Sequence, residues 1–287
     1  MSTGVIYIAT GKEFLREAII SATSLKVVHP ELPVTVFTDQ AVTAPCFDQV
    51  VTVERSPEHF DHVRLMGQSP YERTLYLDAD TYVCGDITGL FALLDRFELA
   101  VAHDWTRNPD YARELLWEYT SKIPESFFQH QAGVVLFRRS PGLTRFFGDW
   151  LTYYERDQQL RATSGSSCHV GDQAAFREAL WRSEVALWVL PLEYNCNPAT
   201  RGYLIDPVKI IHARVSGDFP AIAATLNGLS GRRFYFYEYG KLTVRNQEGR
   251  RRSLRIIPWH RVWLERLRRK LQAWGRRWEQ ARERMRS

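Results

Sequence analysis

The sequence predicts an α/β chain in which a sheet is flanked by helices, and three observations carry that prediction. The opening reads as strand, helix, strand; further strands and helices alternate after it; and no internal repeat or low-complexity segment interrupts them before residue 250. Val5 to Ala9 is a short apolar strand. Lys12 to Val28 sets Phe14, Leu15, Ala18, Ile19, Ala22 and Leu25 at helical spacing, and Val34 to Phe37 is a second apolar strand. Two strands joined through a helix in this way are parallel neighbours in a sheet.

Further strands are expected at Gln49 to Val53, Thr74 to Leu77, Leu99 to Ala102, Val134 to Phe137, Ala186 to Val189 and Val208 to Ile211. Helices fit Asp110 to Ser121, Leu143 to Glu155 and Asp172 to Arg182. A chain of 287 residues with 45% hydrophobic content can bury a substantial core. Cys46, Cys84, Cys168 and Cys196 form no CxxC pair, which excludes a zinc ribbon or a thioredoxin-like site and predicts reduced thiols. The short apolar run at the N-terminus lacks the basic flank of a signal peptide, so the expected location is cytoplasmic.

The net charge of +5 hides a division of the chain. Residues 250–287 hold fourteen Lys or Arg and three Glu, a net of +11, whereas the remainder holds twenty-four basic and thirty acidic groups, a net of −6. The expected domains are therefore a catalytic body over 1–249 and a basic tail over 250–287. In the tail a helix is expected from about Trp259 to Arg284. Leu264, Leu267, Leu271, Trp274, Trp278 and Ala281 form one apolar stripe, and Arg or Lys occupies much of the remaining surface. Such an amphipathic helix suits the interface of an anionic membrane, with docking on the protein itself as the plainer alternative. Its interleaved Arg and Trp would also suit nucleic acid, but the acidic body offers no second phosphate-binding face.

Ligands of alternating α/β folds bind above the carboxyl ends of strands. Those positions hold Thr10, Asp39, Asp78, Asp80, His103, Asp104 and His212, a polar and largely acidic set that points to a cation. The most informative stretch is Leu75-Tyr76-Leu77-Asp78-Ala79-Asp80. The pleat of a strand returns to the same face every second residue, so both carboxylates project into one cleft and can share a hard divalent cation. With fourteen Asp in the chain, a bare Asp-x-Asp arises by chance about once, usually in a solvated loop. Its place directly after an apolar strand is what gives this one meaning.

Five segments resemble glycosyltransferase family 8 and its relatives: Ile6-Tyr7-Ile8-Ala9-Thr10, Tyr76-Leu77-Asp78-Ala79-Asp80, Gln131-Ala132-Gly133-Val134-Val135-Leu136-Phe137, Gly171-Asp172-Gln173 and Ile210-Ile211-His212. They stand in that family's order over residues 4 to about 215. The resemblance implies a GT-A fold, a Rossmann-like mixed sheet flanked by helices. It also implies transfer of a sugar from a UDP-sugar donor to a glycan or lipid-linked acceptor, with retention of anomeric configuration. It makes Asp78, Asp80 and His212 ligands of Mn²⁺ or Mg²⁺; oxygen ligands with one imidazole suit Mn²⁺. Ala9, Thr10 and Asp39 would line the nucleoside, Arg64, Asp78 and Ala79 the rest of the donor, and Asp104 and Gln131 the sugar. Asp172 and Gln173 would sit beside the anomeric carbon, although Asp172 is equally suited to cap the helix that follows it.

Two departures stand out. Gln131 occupies a position where the family more often has Asn, and no Lys follows His212, where only Arg214 offers a cation to a diphosphate. An inverting transferase of the same fold and a sugar nucleotidyltransferase are the enzymatic alternatives. The loop Ala9-Thr10-Gly11-Lys12-Glu13 lacks the Gly-rich phosphate loop of the latter, and no GxGxxG or P-loop occurs elsewhere.

Overall fold

A computed structural model describes residues 2–56, 60–104, 115–164, 170–216 and 218–258. The expected tail helix and Cys168 lie outside them, and the helix expected over 110–121 does so in part. The described residues form two compact units. Unit 1 comprises residues 1–196 and 206–212; unit 2 comprises 197–205 and the chain from 213 onward.

Unit 1 is built from β1 (Thr3–Ile8), α1 (Lys12–Val28), β2 (Val34–Thr38), β3 (Gln49–Thr52), α2 (Asp61–Leu65), β4 (Arg73–Leu77), β5 (Thr81–Val83), β6 (Leu99–His103), α3 (Trp117–Thr120), β7 (His130–Arg138), α4 (Pro141–Ser164), α5 (Gln173–Arg182), β8 (Leu187–Leu190) and β10 (Ile210–His212). Seven strands form one sheet in the order β3-β2-β1-β4-β7-β6-β8. It is mixed, because β7 runs antiparallel to both neighbours, β4 and β6, while the other pairs are parallel.

Strand alternation divides the core into two layers. Val5, Tyr7, Leu75, Leu77, Val134 and Leu136 face α1, where Leu15, Ala18, Ala22 and Leu25 meet them. Ile6, Ile8, Tyr76, Val101, Val135 and Phe137 face the other way, onto Phe146, Phe147 and Trp150 of α4 and Phe176 and Ala179 of α5. Because β1, β4 and β7 are covered on both faces, they read as nearly continuous apolar runs. The helix expected to end at Glu155 continues to Ser164. Its added turns are held by Arg156, which reaches Asp157 and, on α5, Glu178, and by Leu160, which packs against Leu116, Val170 and Ala174.

Unit 2 contains β9 (Arg201–Leu204), β11 (Val215–Ser216), α6 (Phe219–Asn227), β12 (Arg233–Glu238), β13 (Lys241–Asn246), β14 (Arg251–Arg255) and β15 (Ile257–Pro258). Four of these form an antiparallel sheet, β14-β13-β12-β9, with α6 against β14. The expected boundary at 249/250 lies in the turn between β13 and β14, two strands paired through five residues. Cys46, Cys84 and Cys196 are free thiols. No helix among the described residues is long and apolar enough to cross a membrane.

Candidate metal centre

Three side chains from two distant stretches of unit 1 converge beyond the carboxyl end of β4. The strand delivers Asp78 to the sheet edge, where its N–H donates to the Gly133 carbonyl at 2.8 Å. The chain then turns: Thr81 returns its N–H and its hydroxyl to the Asp78 carbonyl, which fixes Asp80 beside Asp78. β5 leaves this turn and pairs antiparallel with β10, opposing His212 to Thr81. That register brings the His212 Nε2 to 3.3 Å from Asp80 Oδ1 and 3.5 Å from Asp78 Oδ2.

The ligand-bearing atoms of Asp78, Asp80 and His212 all lie within 4.8 Å of one another. An ion with ligands at about 2.1 Å in octahedral geometry holds adjacent ligand atoms roughly 3 Å apart, close to the separations already present. The imidazole is oriented for this role. Its Nδ1 lies 2.9 Å from Asn195 Oδ1, so Nδ1–H donates to the amide oxygen and Nε2 is turned toward the carboxylates. Asn195 is held in turn by donating its amide N–H to Gln131 Oε1 at 3.2 Å, and the Gly133 N–H donates to the same Oε1 at 2.6 Å. A Cβ on Gly133 would lie 2.1 Å from His212 Cε1 and 2.8 Å from Asp78 Oδ2. The glycine is therefore a close-approach residue, which a glycine inside an apolar strand can signal.

Burial opposes ionisation of Asp78, yet the hydrogen bond and charge of His212, helped by His62, hold its pKa down to about 2. Burial likewise opposes the imidazolium of His212, and Asp80 and Asp78 overcome it, raising the pKa to about 10. The two carboxylates thus create a strongly cation-seeking centre. A proton on His212 answers it in the metal-free protein, and a divalent ion would displace that proton.

Asp172 lies close by. It stands at the N-cap position of α5 but makes no side-chain capping bond. Instead its carboxylate accepts from His62 Nε2 at 3.0 Å. His62 stacks on the ring of Tyr76, whose hydroxyl donates to Asp78 Oδ1, so the pair is tied to the metal centre through one aromatic side chain. Burial disfavours the charged form of His62, but the charge and hydrogen bond of Asp172 raise its pKa above the ordinary histidine value. Gln173 accepts at Oε1 from Gln129 Nε2.

The remaining expected residues occupy other places. Ala9 is buried and bonds through its N–H to Phe37 in the sheet. Thr10 donates its hydroxyl to Asp61 Oδ2 at 2.6 Å, and Arg64 reaches Asp61 Oδ1 and the Glu54 carbonyl. Asp61 is thus a buried hub that the sequence did not single out. Asp39 accepts the Gly11 N–H at 2.6 Å and closes the loop after β1, where Gly11 has a positive φ of 91°. Ala79 is buried in the acidic turn, and Asp104 is buried beyond β6 with its N–H on the Gln129 carbonyl. Arg214 is an exposed residue of unit 2.

No protein-family model and no curated protein matches this chain. Solved structures do. The galactosyltransferase LgtC in complex with donor and acceptor sugar analogs aligns with a TM-score of 0.51 at 13% identity, over 79% of this chain and 97% of that one. An active-site mutant of LgtC aligns with a TM-score of 0.51 at 14% identity, over 73% of this chain and 86% of that one. Mouse xyloside xylosyltransferase 1 in its apo form aligns with a TM-score of 0.49 at 16% identity, over 74% and 98%. At such identities the LgtC likeness is one of architecture, and it matches the mixed sheet described above: the chain has the GT-A glycosyltransferase fold.

Proposed function

We propose that the protein is a metal-dependent glycosyltransferase that moves a hexose or N-acetylhexosamine from a UDP-sugar to a glycan or lipid-linked acceptor with retention of configuration. The observation that carries the reading is the convergence of Asp78, Asp80 and His212 at the end of β4 in a GT-A fold. A divalent ion bound there, Mn²⁺ by its ligand set, would neutralise diphosphate oxygens and stabilise the departing nucleotide.

The chain's own residues supply the rest. Asp78 and Asp80 hold the cation, and Asn195 keeps His212 in the tautomer that can join them. Ala9, Thr10 and Asp39 border the nucleoside, and Arg64 lends charge to the donor. Asp104 and Gln131 contact the sugar. Asp172, oriented by His62, and Gln173 flank the anomeric carbon. Retention rests on the likeness of Gly171-Asp172-Gln173 to retaining transferases. The basic, Trp-rich sequence from 250 to 287 supports a peripheral enzyme on the cytoplasmic face of a membrane, with an acceptor at that surface.

The test is incubation with Mn²⁺ and a panel of nucleotide sugars, following nucleotide release and the NMR coupling of the new linkage. One donor should be consumed, chelator should abolish the reaction, and Asp80→Ala should lose it. Turnover in excess chelator sinks the metal role. An inverted product sinks retention and leaves the centre standing.

A further inference from the structure

We infer that the outward face of the unit 2 sheet is a docking surface for an anionic lipid bilayer. Strand register defines that face, because directly opposed residues share a side of the sheet. One side carries the rows Tyr203–Phe234–Arg245–Arg251, Arg201–Phe236–Thr243–Ser253 and Glu238–Lys241–Arg255. The opposite side carries Leu204, Tyr235, Val244 and Leu242, all buried, and also Arg252, which meets the C-terminal end of α6 at Gly228. The sheet is thus packed on one side and on the other presents the first set of rows, in which Thr243 is buried and Phe236 half-buried.

That presented side spans four strands, about 14 Å across. Arg201, Lys241, Arg245, Arg251 and Arg255 are all exposed, and none forms an ion pair among the described residues. Glu238 is the single acid in these rows. The described part of unit 2 holds ten Lys or Arg and three acidic residues. Five cations on one face of the sheet, with so little internal neutralisation, complement an extended anionic surface.

The aromatics say which anionic surface. Phe234 is 58% exposed and Tyr203 37% exposed, and they share a row with Arg245 and Arg251, next to the row that holds Arg201. Their rings lie 4.7 Å apart with an interplanar angle of 47°, packed on each other. Rings that stack bases must offer open faces. Here the two rings are tilted against each other and form one apolar knob. An apolar knob bordered by Arg201 and Arg245 suits insertion at headgroup depth, where aromatic bodies are buried and Arg stems reach phosphate. Beyond β14 and β15 the chain continues into residues 259–287, which add ten Lys or Arg and four Trp. The basic, aromatic character of the sheet therefore continues into the sequence beyond it.

The surface stands on unit 2 alone and does not depend on the reaction proposed for unit 1. The experiment uses the full chain and co-sedimentation with phosphatidylcholine vesicles, with and without phosphatidylglycerol. Variants are R201E/R245E/R251E, its counterpart R201K/R245K/R251K, F234A, and the tail reversal R268E/R269E/K270E. Each basic residue near an anionic surface strengthens binding roughly fivefold, so the triple Glu variant should lose at least tenfold in partition even with the tail intact. The Lys counterpart should bind as the parent does, and F234A should weaken binding to both vesicle types. Thermal unfolding and soluble turnover of the nucleotide sugar should be unchanged in every sheet variant. Parental partition by the triple Glu variant overturns the inference, as does a loss confined to poly-uridylate binding with vesicle binding intact. A parent protein that turns over no nucleotide sugar would refute the proposed function and leave this surface untouched.

Discussion

Gly133→Ala should dismantle the metal centre with a single methyl group. The new Cβ would stand 2.1 Å from His212 Cε1. Carbon atoms rest about 3.5 Å apart at closest, so one partner must retreat by about 1.4 Å. β7 cannot retreat cheaply, since it is buried between β4 and β6 with Ala132, Val134, Val135 and Leu136 packed on both faces. The imidazole must therefore move, breaking its bond to Asn195 and drawing Nε2 away from Asp78 and Asp80. Loss of one of three protein ligands should weaken Mn²⁺ binding by about 100-fold or more, since disturbing a ligand's outer partner alone costs about 10–100-fold. Overpacking adds about 1–3 kcal/mol of destabilisation. Isothermal titration with Mn²⁺ and thermal unfolding in chelator measure the two effects. Gly89→Ala is the control, because a Cβ there meets nothing within 4 Å. Parental Mn²⁺ affinity in Gly133→Ala would refute the assignment of His212 as a ligand held in this geometry.

Asn195→Ala should lower Mn²⁺ affinity about 10–100-fold by freeing the His212 tautomer, and an unchanged titration would remove Asn195 from the site. Asp157 is buried with Oδ2 unpartnered, and burial raises its pKa to about 6 despite Arg156. The folded chain keeps this proton where the unfolded chain has released it, so the residue's contribution is greatest below about pH 4 and declines as pH rises to about 6. Asp157→Asn should abolish that decline, gaining roughly 3 kcal/mol on the parent between about pH 4 and 7; a pH-independent difference in unfolding free energy would contradict this. Gly148 is exposed within α4 with open space at its Cβ position, so Gly148→Ala should stabilise by about 0.5–1 kcal/mol, and a lowered Tm would count against the open space.

The sheet of unit 1 was legible because β1, β4 and β7 are covered on both sides and declare themselves as apolar runs, while α1 shows an unbroken helical period. The sheet of unit 2 was not. In β12, Phe234 and Phe236 point outward while Tyr235 and Tyr237 point inward, so the alternation of polar and apolar residues that reveals a half-buried strand is missing. β14 is short and Arg-rich, and it reads as part of a basic tail until its pairing with β13 is seen. In the site, Asp78 and Asp80 announced themselves by following a strand, and His212 entered through resemblance. His62, Asp61 and Asn195 carry no local signal, because what defines each is a partner far along the chain: Asp172, Thr10 and His212. Gly133 did carry one, in the form of a side-chain-free position within an otherwise bulky strand.

The antiparallel pairing of β5 with β10 has a consequence for how the protein matures. Asp78 and Asp80 emerge early in synthesis, but their third partner arrives only when Ile210–His212 has threaded back alongside Thr81–Val83, a closure across more than a hundred residues. Loop entropy makes such a contact late in folding. An ion captured there would act as a latch on the last strand. It would bind the finished chain and not the nascent one, and at about a hundredfold excess over its Kd it would add about 2.7 kcal/mol against reopening. Divalent metal would then govern the lifetime of the folded protein in the cell.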